Sequence, residues 1–179
     1  MIIEKTFIKD LIVITPKIFT DTRGYFIESY NKKELKQYIT VDFIQDNESL
    51  SQKGVLRGLH FQKPPYAQNK LVRVIAGSVL DVVVDLRKNS TTFGQHFKQL
   101  LSAENKKQLY VPTGFAHGFL VLEANTIFSY KCSSYYNKES EGAILWNDRT
   151  LNINWNVNQP IISEKDKIAE NFTNFVSPF

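Results

Sequence analysis

Between Val79 and Leu86 the even positions Leu80, Val82, Val84 and Leu86 are all apolar, while Asp81 and Asp85 fall on the opposite parity. Alternation of this kind belongs to a strand with two unlike faces. Similar runs occur at 11–15, 24–30, 54–61, 69–76, 95–102, 118–122 and 126–132. Turn-forming stretches separate them: Asp21–Gly24, Gly77–Ser78, Asn89–Thr92 and Pro112–Gly114. Helical patterning is confined to 31–39 and 163–171, and the second begins with Ser163 as N-cap and Asp166 at the third helical position. No internal repeat, linker or low-complexity stretch interrupts the series. Many short strands predict an all-β barrel or sandwich, a jelly roll with two small helices, over one domain of residues 1–179.

The composition agrees with that reading and narrows the function classes. The chain has 179 residues, of which 42% are hydrophobic and 22% charged, the balance of a single compact domain. Uncharged apolar stretches fall far short of the roughly 20 residues a bilayer span needs. The first ten residues, MIIEKTFIKD, carry four charges and no small-residue cleavage site, unlike a secretory signal. Cys132 is the only cysteine, which excludes an intrachain disulfide, and the expected compartment is the cytoplasm. A net charge of +4 could suggest nucleic acid, but basic residues never run longer than pairs. Scattered cations suit a small anionic ligand better than a phosphate backbone.

Two of the three histidines lie in distinctive segments, GVLRGLHFQ at 54–62 and VPTGFAHGF at 111–119. Both resemble the halves of a cupin signature, through Gly54 and His60 and through Pro112, Gly114 and His117. The second histidine of the first half is replaced by Gln62, and no glutamate follows at the ligand spacing. Two imidazoles are too few for zinc or iron, so no metal is expected. Parity places Phe128, Tyr130 and Cys132 on one strand face, with Tyr130 pointing inward. Strict alternation separates Arg57 from His60, unless a bulge at Gly58 turns both to the same side. Taken singly, Arg23–Gly24 and Asp46–Asn47 read as turns, Lys70 as a surface lysine and Asp166 as a first-turn carboxylate.

Together these residues say more. TDTRGYFIESY at 20–30, FIQDNESLS at 43–51, GVLRGLHFQ, the run from Ala67 to Gly94, VPTGFAHGF, YKCSSYY at 130–136, EGAILWND at 141–148 and SEKD at 163–166 resemble the dTDP-4-dehydrorhamnose 3,5-epimerase family in register. The resemblance implies a cofactor-free cupin jelly roll that inverts C3 and C5 of a 4-keto-6-deoxyhexose carried on dTDP. It implies His60 as base, Asp166 as its orienting carboxylate, Tyr130 as acid and Lys70 as enolate stabiliser. It further implies Arg57, Gln45, Asp46, Asn47, His117, Tyr135, Glu141 and Lys165 around the sugar nucleotide. Arg23 and Glu28 would reach the partner's site of a homodimer from an exchanged N-terminal segment. The chemistry is self-consistent: a ketone at C4 acidifies both neighbouring C–H bonds, so a base, an oxyanion stabiliser and an opposed acid suffice. Epimerisation at one carbon only, keto-isomerisation, a metal-dependent cupin and a non-catalytic sugar-binding jelly roll are the competing readings.

Overall fold

The computed structural model describes residues 1–179. Thirteen strands are present: β1 (Ile2–Lys5), β2 (Ile12–Thr15), β3 (Ile18–Asp21), β4 (Gly24–Ile27), β5 (Gln45–Ser51), β6 (Leu56–Gln62), β7 (Lys70–Ala76), β8 (Ser78–Asp85), β9 (His96–Ser102), β10 (Gln108–Val111), β11 (Phe115–Val121), β12 (Thr126–Cys132) and β13 (Glu141–Ala143). They form a six-stranded sheet in the order β1-β2-β10-β7-β12-β5 and a five-stranded sheet in the order β13-β6-β11-β8-β9. The hairpin β3-β4 stands apart. This is the all-β jelly roll that the alternation predicts, cupin-like as the two histidine segments imply, but the sheets remain two and do not close into a barrel. No helix is long and apolar enough to cross a membrane.

Three apolar clusters hold the layers together. The first lies between the sheets and includes Val72 and Val74 of β7, Val79 and Val83 of β8, Phe119 of β11 and Phe128 of β12. The second covers the back of the five-stranded sheet, where Leu56, Val82, Val84 and Leu120 meet Leu151, Ile153 and Trp155 of the C-terminal region. The third packs Leu35 and Ile39 against Ile12, Ile14, Leu71 and Tyr110 on the back of the six-stranded sheet. Strand β8 is therefore buried on both faces. Its even face, apolar at Leu80, Val82 and Val84, meets the C-terminal segment, whereas its odd face, carrying Asp81 and Asp85, looks into the interior, and both carboxylates are fully buried. Phe61 on β6 is gripped from behind by edge-on contacts with Phe175 and Phe179.

The helical stretches are shorter than their patterning suggests. Helix α1 spans Lys32–Leu35 and α2 spans Glu164–Lys167. The Ser163 cap is present, with its side chain accepting from the Asp166 N–H. Each segment holds only one turn of helix because neighbouring residues are committed to sheet or loop contacts, and short helices gain little from propensity alone. Strand β5 departs from expectation in the other direction. Asp46–Asn47, readable as turn chemistry, lies inside a seven-residue strand that pairs along its length with β12.

One local irregularity sets up the interior. Arg57 and His60 are three positions apart on β6, but their partners on β11, Phe119 and His117, are two apart, so β6 carries an extra residue there. This is the bulge that Gly58 makes available. Gly58 has φ +131°, and a Cβ on it would lie 2.5 Å from Gly118 Cα; a Cβ on Gly118 would lie 2.7 Å from the Arg57 carbonyl oxygen. Neither position admits a side chain without moving the backbone.

Candidate active site

The bulge turns Arg57 and His60 toward the same cavity. That cavity, of about 520 Å³, is walled by Arg57, His60 and His117 from the five-stranded sheet and by Lys70, Phe128 and Tyr130 from the six-stranded sheet. Ser163, Lys165 and Asp166 of α2 and its cap close one side. A smaller adjoining recess shares His60, Lys70 and Tyr130 and adds Gln45, Asn47, Tyr136 and Glu141. Residues from six strands and one helix thus converge although they span positions 45 to 166.

On the first wall, the His60 Nε2 lies 2.6 Å from Asp166 Oδ1. The His60 side chain is 31% exposed, and its other ring nitrogen has no protein partner. Asp166 is almost fully buried, and its second oxygen accepts from the Gly58 N–H. Burial alone would raise this carboxyl, but the His60 ring, the Gly58 N–H and Ser163 outweigh it and hold Asp166 below the ordinary carboxylate range. An ionised Asp166 fixes the ring's tautomer and supports positive charge on it. Arg57 is anchored only through hydrogen bonds to the Ser51 hydroxyl, at 3.3 Å from Nε and 3.2 Å from Nη2, which leaves its charge available to a ligand.

On the facing wall, burial pushes the Tyr130 phenol up, with the nearby Cys132 adding to the effect and Arg57 opposing it. The hydroxyl therefore keeps its proton at neutral pH. Lys70 Nζ lies 5.8 Å from the centre of the Tyr130 ring. It makes no hydrogen bond within the protein, and burial holds the ammonium below the ordinary lysine range, partly offset by Cys132, Asp81 and Glu141. The floor is aromatic: Phe119 and Phe128 stack at 4.0 Å, and His117 stacks on Phe128 at 6.1 Å.

The remaining expected residues are distributed unevenly. Glu141 accepts from the Tyr136 hydroxyl at 3.0 Å and pairs with Lys165; burial would raise its carboxyl, but these two partners lower it overall. Gln45 donates to Asn47, and Asn47 donates to the Cys132 sulfur, so both face inward from β5. Asp46, next along the strand, takes the outer face and pairs with Lys131 at 2.9 Å, away from the cavity. Arg23, with an 88% exposed side chain, pairs with Asp21 in the β3-β4 hairpin, and Glu28 accepts from Asn31; this chain alone brings neither to the cavity. Tyr135 is exposed and outside both recesses, while Tyr136 lies within. Gln62 is structural: it donates to the carbonyls of Tyr66 and Tyr135 and accepts from the Asn137 N–H. No three His, Cys, Asp or Glu side chains are arranged to hold a metal ion. Asp81 and Tyr136 are the site residues that sequence reasoning passed over.

A cupin-like jelly roll here sets an aspartate-held histidine on one sheet against a tyrosine and a lysine on the other, side chains of the kind that can take and give protons. Comparisons with known proteins make the class specific. The family model for dTDP-4-dehydrorhamnose 3,5-epimerase matches residues 5–174. The dTDP-4-dehydrorhamnose 3,5-epimerase of Shigella flexneri is 51% identical over 174 residues, covering 96% of each chain. Among solved structures, the dTDP-4-dehydrorhamnose 3,5-epimerase from Elizabethkingia anophelis NUHP1 superposes with a TM-score of 0.93 at 52% identity, covering 97% of both chains. The dTDP-6-deoxy-D-glucose-3,5-epimerase from Legionella pneumophila Philadelphia 1, solved with dTDP-4-keto-L-rhamnose, gives 0.93 at 48% identity, covering 97% of this chain and 94% of that one. The chain belongs to the dTDP-4-dehydrorhamnose 3,5-epimerase family.

The half-buried Lys70 yields a prediction with a definite sign. Its proton is held less tightly folded than unfolded, so this group's contribution to stability falls as pH drops from the unfolded value near 10.4 toward the folded one. Lys70→Met removes that burden. We expect the urea midpoint at pH 7 to rise, by on the order of 1 kcal/mol, while turnover falls by roughly 10²-fold or more. A variant less stable than the parent would show that the ammonium is not an uncompensated charge.

Proposed function

We propose that this chain inverts C3 and C5 of dTDP-4-dehydro-6-deoxy-D-glucose, the 3,5-epimerase reaction of dTDP-L-rhamnose formation. One observation carries the catalytic assignment: His60 and Tyr130 face each other from different sheets across a single cavity. The free His60 nitrogen takes the proton next to the C4 ketone, and Asp166 stabilises the imidazolium that results. Negative charge gathers on the C4 oxygen, where the Lys70 ammonium supplies the opposing charge. Tyr130 then gives its proton to the same carbon from the other face, and inversion follows. Both acid and base recover their starting states by exchange with water, so no net redox change occurs and no cofactor is used. The same sequence applied on the other side of the ketone inverts the second carbon.

Arg57, Gln45, Asn47, His117, Glu141 and Lys165 are assigned to binding the sugar nucleotide, supported by their places in or beside the two recesses. For Asp46 and Tyr135 the support is the family motif alone. The N-terminal hairpin is assigned to a homodimer partner. Phe19, Tyr25 and Phe26 are 49%, 58% and 64% exposed on it, a cluster that a lone chain leaves unburied. In that arrangement Arg23 and Glu28 complete the site of the second protomer.

Tyr130→Phe keeps the ring and removes only the hydroxyl. Inversion should fall by roughly 10²- to 10⁴-fold, while exchange of the C3 or C5 hydrogen with deuterated water, returned by His60 to its own face, falls much less. His60→Ala should abolish exchange and inversion together. Mass-spectrometric deuterium uptake beside reductase-coupled product formation reads both, and near-parental inversion by Tyr130→Phe would place the acid elsewhere. Proton NMR of the product in deuterated water shows whether one carbon or two exchange.

The shared site is tested by mixing. An Arg23→Ala protein combined with a His60→Ala protein should regain activity as subunits exchange, because some mixed dimers hold one intact site. Proven exchange without recovery would overturn the shared site.

A further inference from the structure

A second histidine–aspartate pair lies beside the first. His117 on β11 is the direct cross-strand partner of His60 on β6, so the two imidazoles stand next to each other on the same sheet face. The His117 Nε2 lies 3.0 and 2.9 Å from the two oxygens of Asp81, which reaches across from the neighbouring strand β8. Asp81 is fully buried, and His117 is its only hydrogen-bond partner. The other ring nitrogen, Nδ1, has no protein partner, and no buried polar side-chain atom of the molecule is left unpaired, so Nδ1 opens onto the cavity that His117 lines. A buried carboxylate is expensive unless something offsets its charge, and a fold with an apolar interior at hand has little reason to keep one that does nothing.

We propose that Asp81 is a positioning residue for substrate binding: it clamps His117 so that Nδ1 presents a hydrogen-bond donor to the diphosphate of the sugar nucleotide, beside Arg57. The inference rests on the proposed function for the identity of the anion. With both ring nitrogens donating, His117 is the imidazolium and Asp81 is its counter-ion. The charged or titratable groups lining the cavity with His117 are Lys70, Arg57, Lys165, His60 and Tyr130, against the carboxylates Asp166 and Glu48. Of the neighbouring cations Arg57 and Lys70 lack carboxylate partners, so the cavity has an excess of donors that an anionic ligand would satisfy. The two dyads then divide the work: His60 with Asp166, partly exposed, moves protons, whereas His117 with Asp81, sealed into the sheet, stays fixed. Difference in burial between otherwise matched pairs is what separates the roles.

The test is a double-mutant cycle on the affinity for dTDP, which carries the diphosphate and lacks the reacting sugar. Asp81→Asn keeps the shape and an acceptor for Nε2 but removes the charge, and His117→Gln removes the ring. Each should weaken dTDP binding by roughly 10- to 100-fold in calorimetric titration. If Asp81 acts through His117, the double variant binds no more weakly than His117→Gln alone. Asp81→Asn should raise KM for the 4-keto sugar nucleotide by a similar factor and change kcat only a few-fold, a split that general loosening of the fold would not produce. Parental dTDP affinity in Asp81→Asn, or losses that multiply in the double variant, would overturn the proposal. Should a variant fail to fold, nitrogen-15 NMR of the histidines in the native protein with dTDP decides it: both His117 nitrogens protonated supports the inference, and a neutral ring contradicts it. Native protein that binds dTDP without epimerising the sugar would overturn the proposed function and leave the Asp81 cycle measurable on dTDP.

Discussion

The site depends on a steric constraint between two glycines. Strand parity would send Arg57 and His60 to opposite faces of β6, one inward and one into the C-terminal packing. The extra residue at Gly58 corrects this, and it fits only because Gly58 and Gly118 approach backbone to backbone with no room for a Cβ on either. From that point the site follows in order. Arg57 reaches Ser51, His60 turns inward beside His117, and the Gly58 N–H is left pointing at the carboxylate that orients His60. The bulge and the dyad are thus one structure, held from outside by the C-terminal aromatics behind Phe61.

A second feature runs through the interior: ionisable groups sit where water is scarce and partners are few. Lys70 is kept in the cavity without an acceptor, Asp81 is kept in a sheet with only a histidine, and Tyr130 is kept protonated by desolvation. Of these, the Lys70 ammonium is the group whose charge an anionic ligand would offset. Electrostatic preorganisation of this kind costs stability in advance and avoids reorganisation during the reaction. The apolar clusters on three levels supply the margin that makes this tolerable.

Much of this was legible in the sequence, and the failures have physical causes. Alternation located four of the five strands of one sheet and three of the six of the other, those whose inward positions are apolar, and the inward direction of Tyr130 followed from parity alone. Strand β5 was obscure because one of its faces lines a polar recess and the other meets solvent, so Gln45, Asn47 and Ser49 carry no hydrophobic signal. Asp81 was visible but uninterpretable: its parity marks a different face from the apolar run, and only the burial of β8 on both sides shows that this face is interior. Asp46 was grouped with Gln45 and Asn47 by motif, although strand alternation sends it to the outer face. Arg23 and Glu28 cannot be placed by one chain, since their expected site lies on another. Long-range convergence, such as Asp166 meeting His60 across 106 positions, is invisible to local pattern and was supplied by family resemblance.

The central claim is that the two sheets present opposite faces of one sugar ring with a base and an acid. A crystal structure of the protein with an unreactive dTDP-6-deoxyhexose tests it most directly. The hexose should lie between His60 and Tyr130, with the free His60 nitrogen and the Tyr130 hydroxyl near the same ring carbon from opposite sides and the C4 oxygen at hydrogen-bond distance from Lys70 Nζ. A hexose bound with both side chains on one face, or outside the cavity between the sheets, would contradict it.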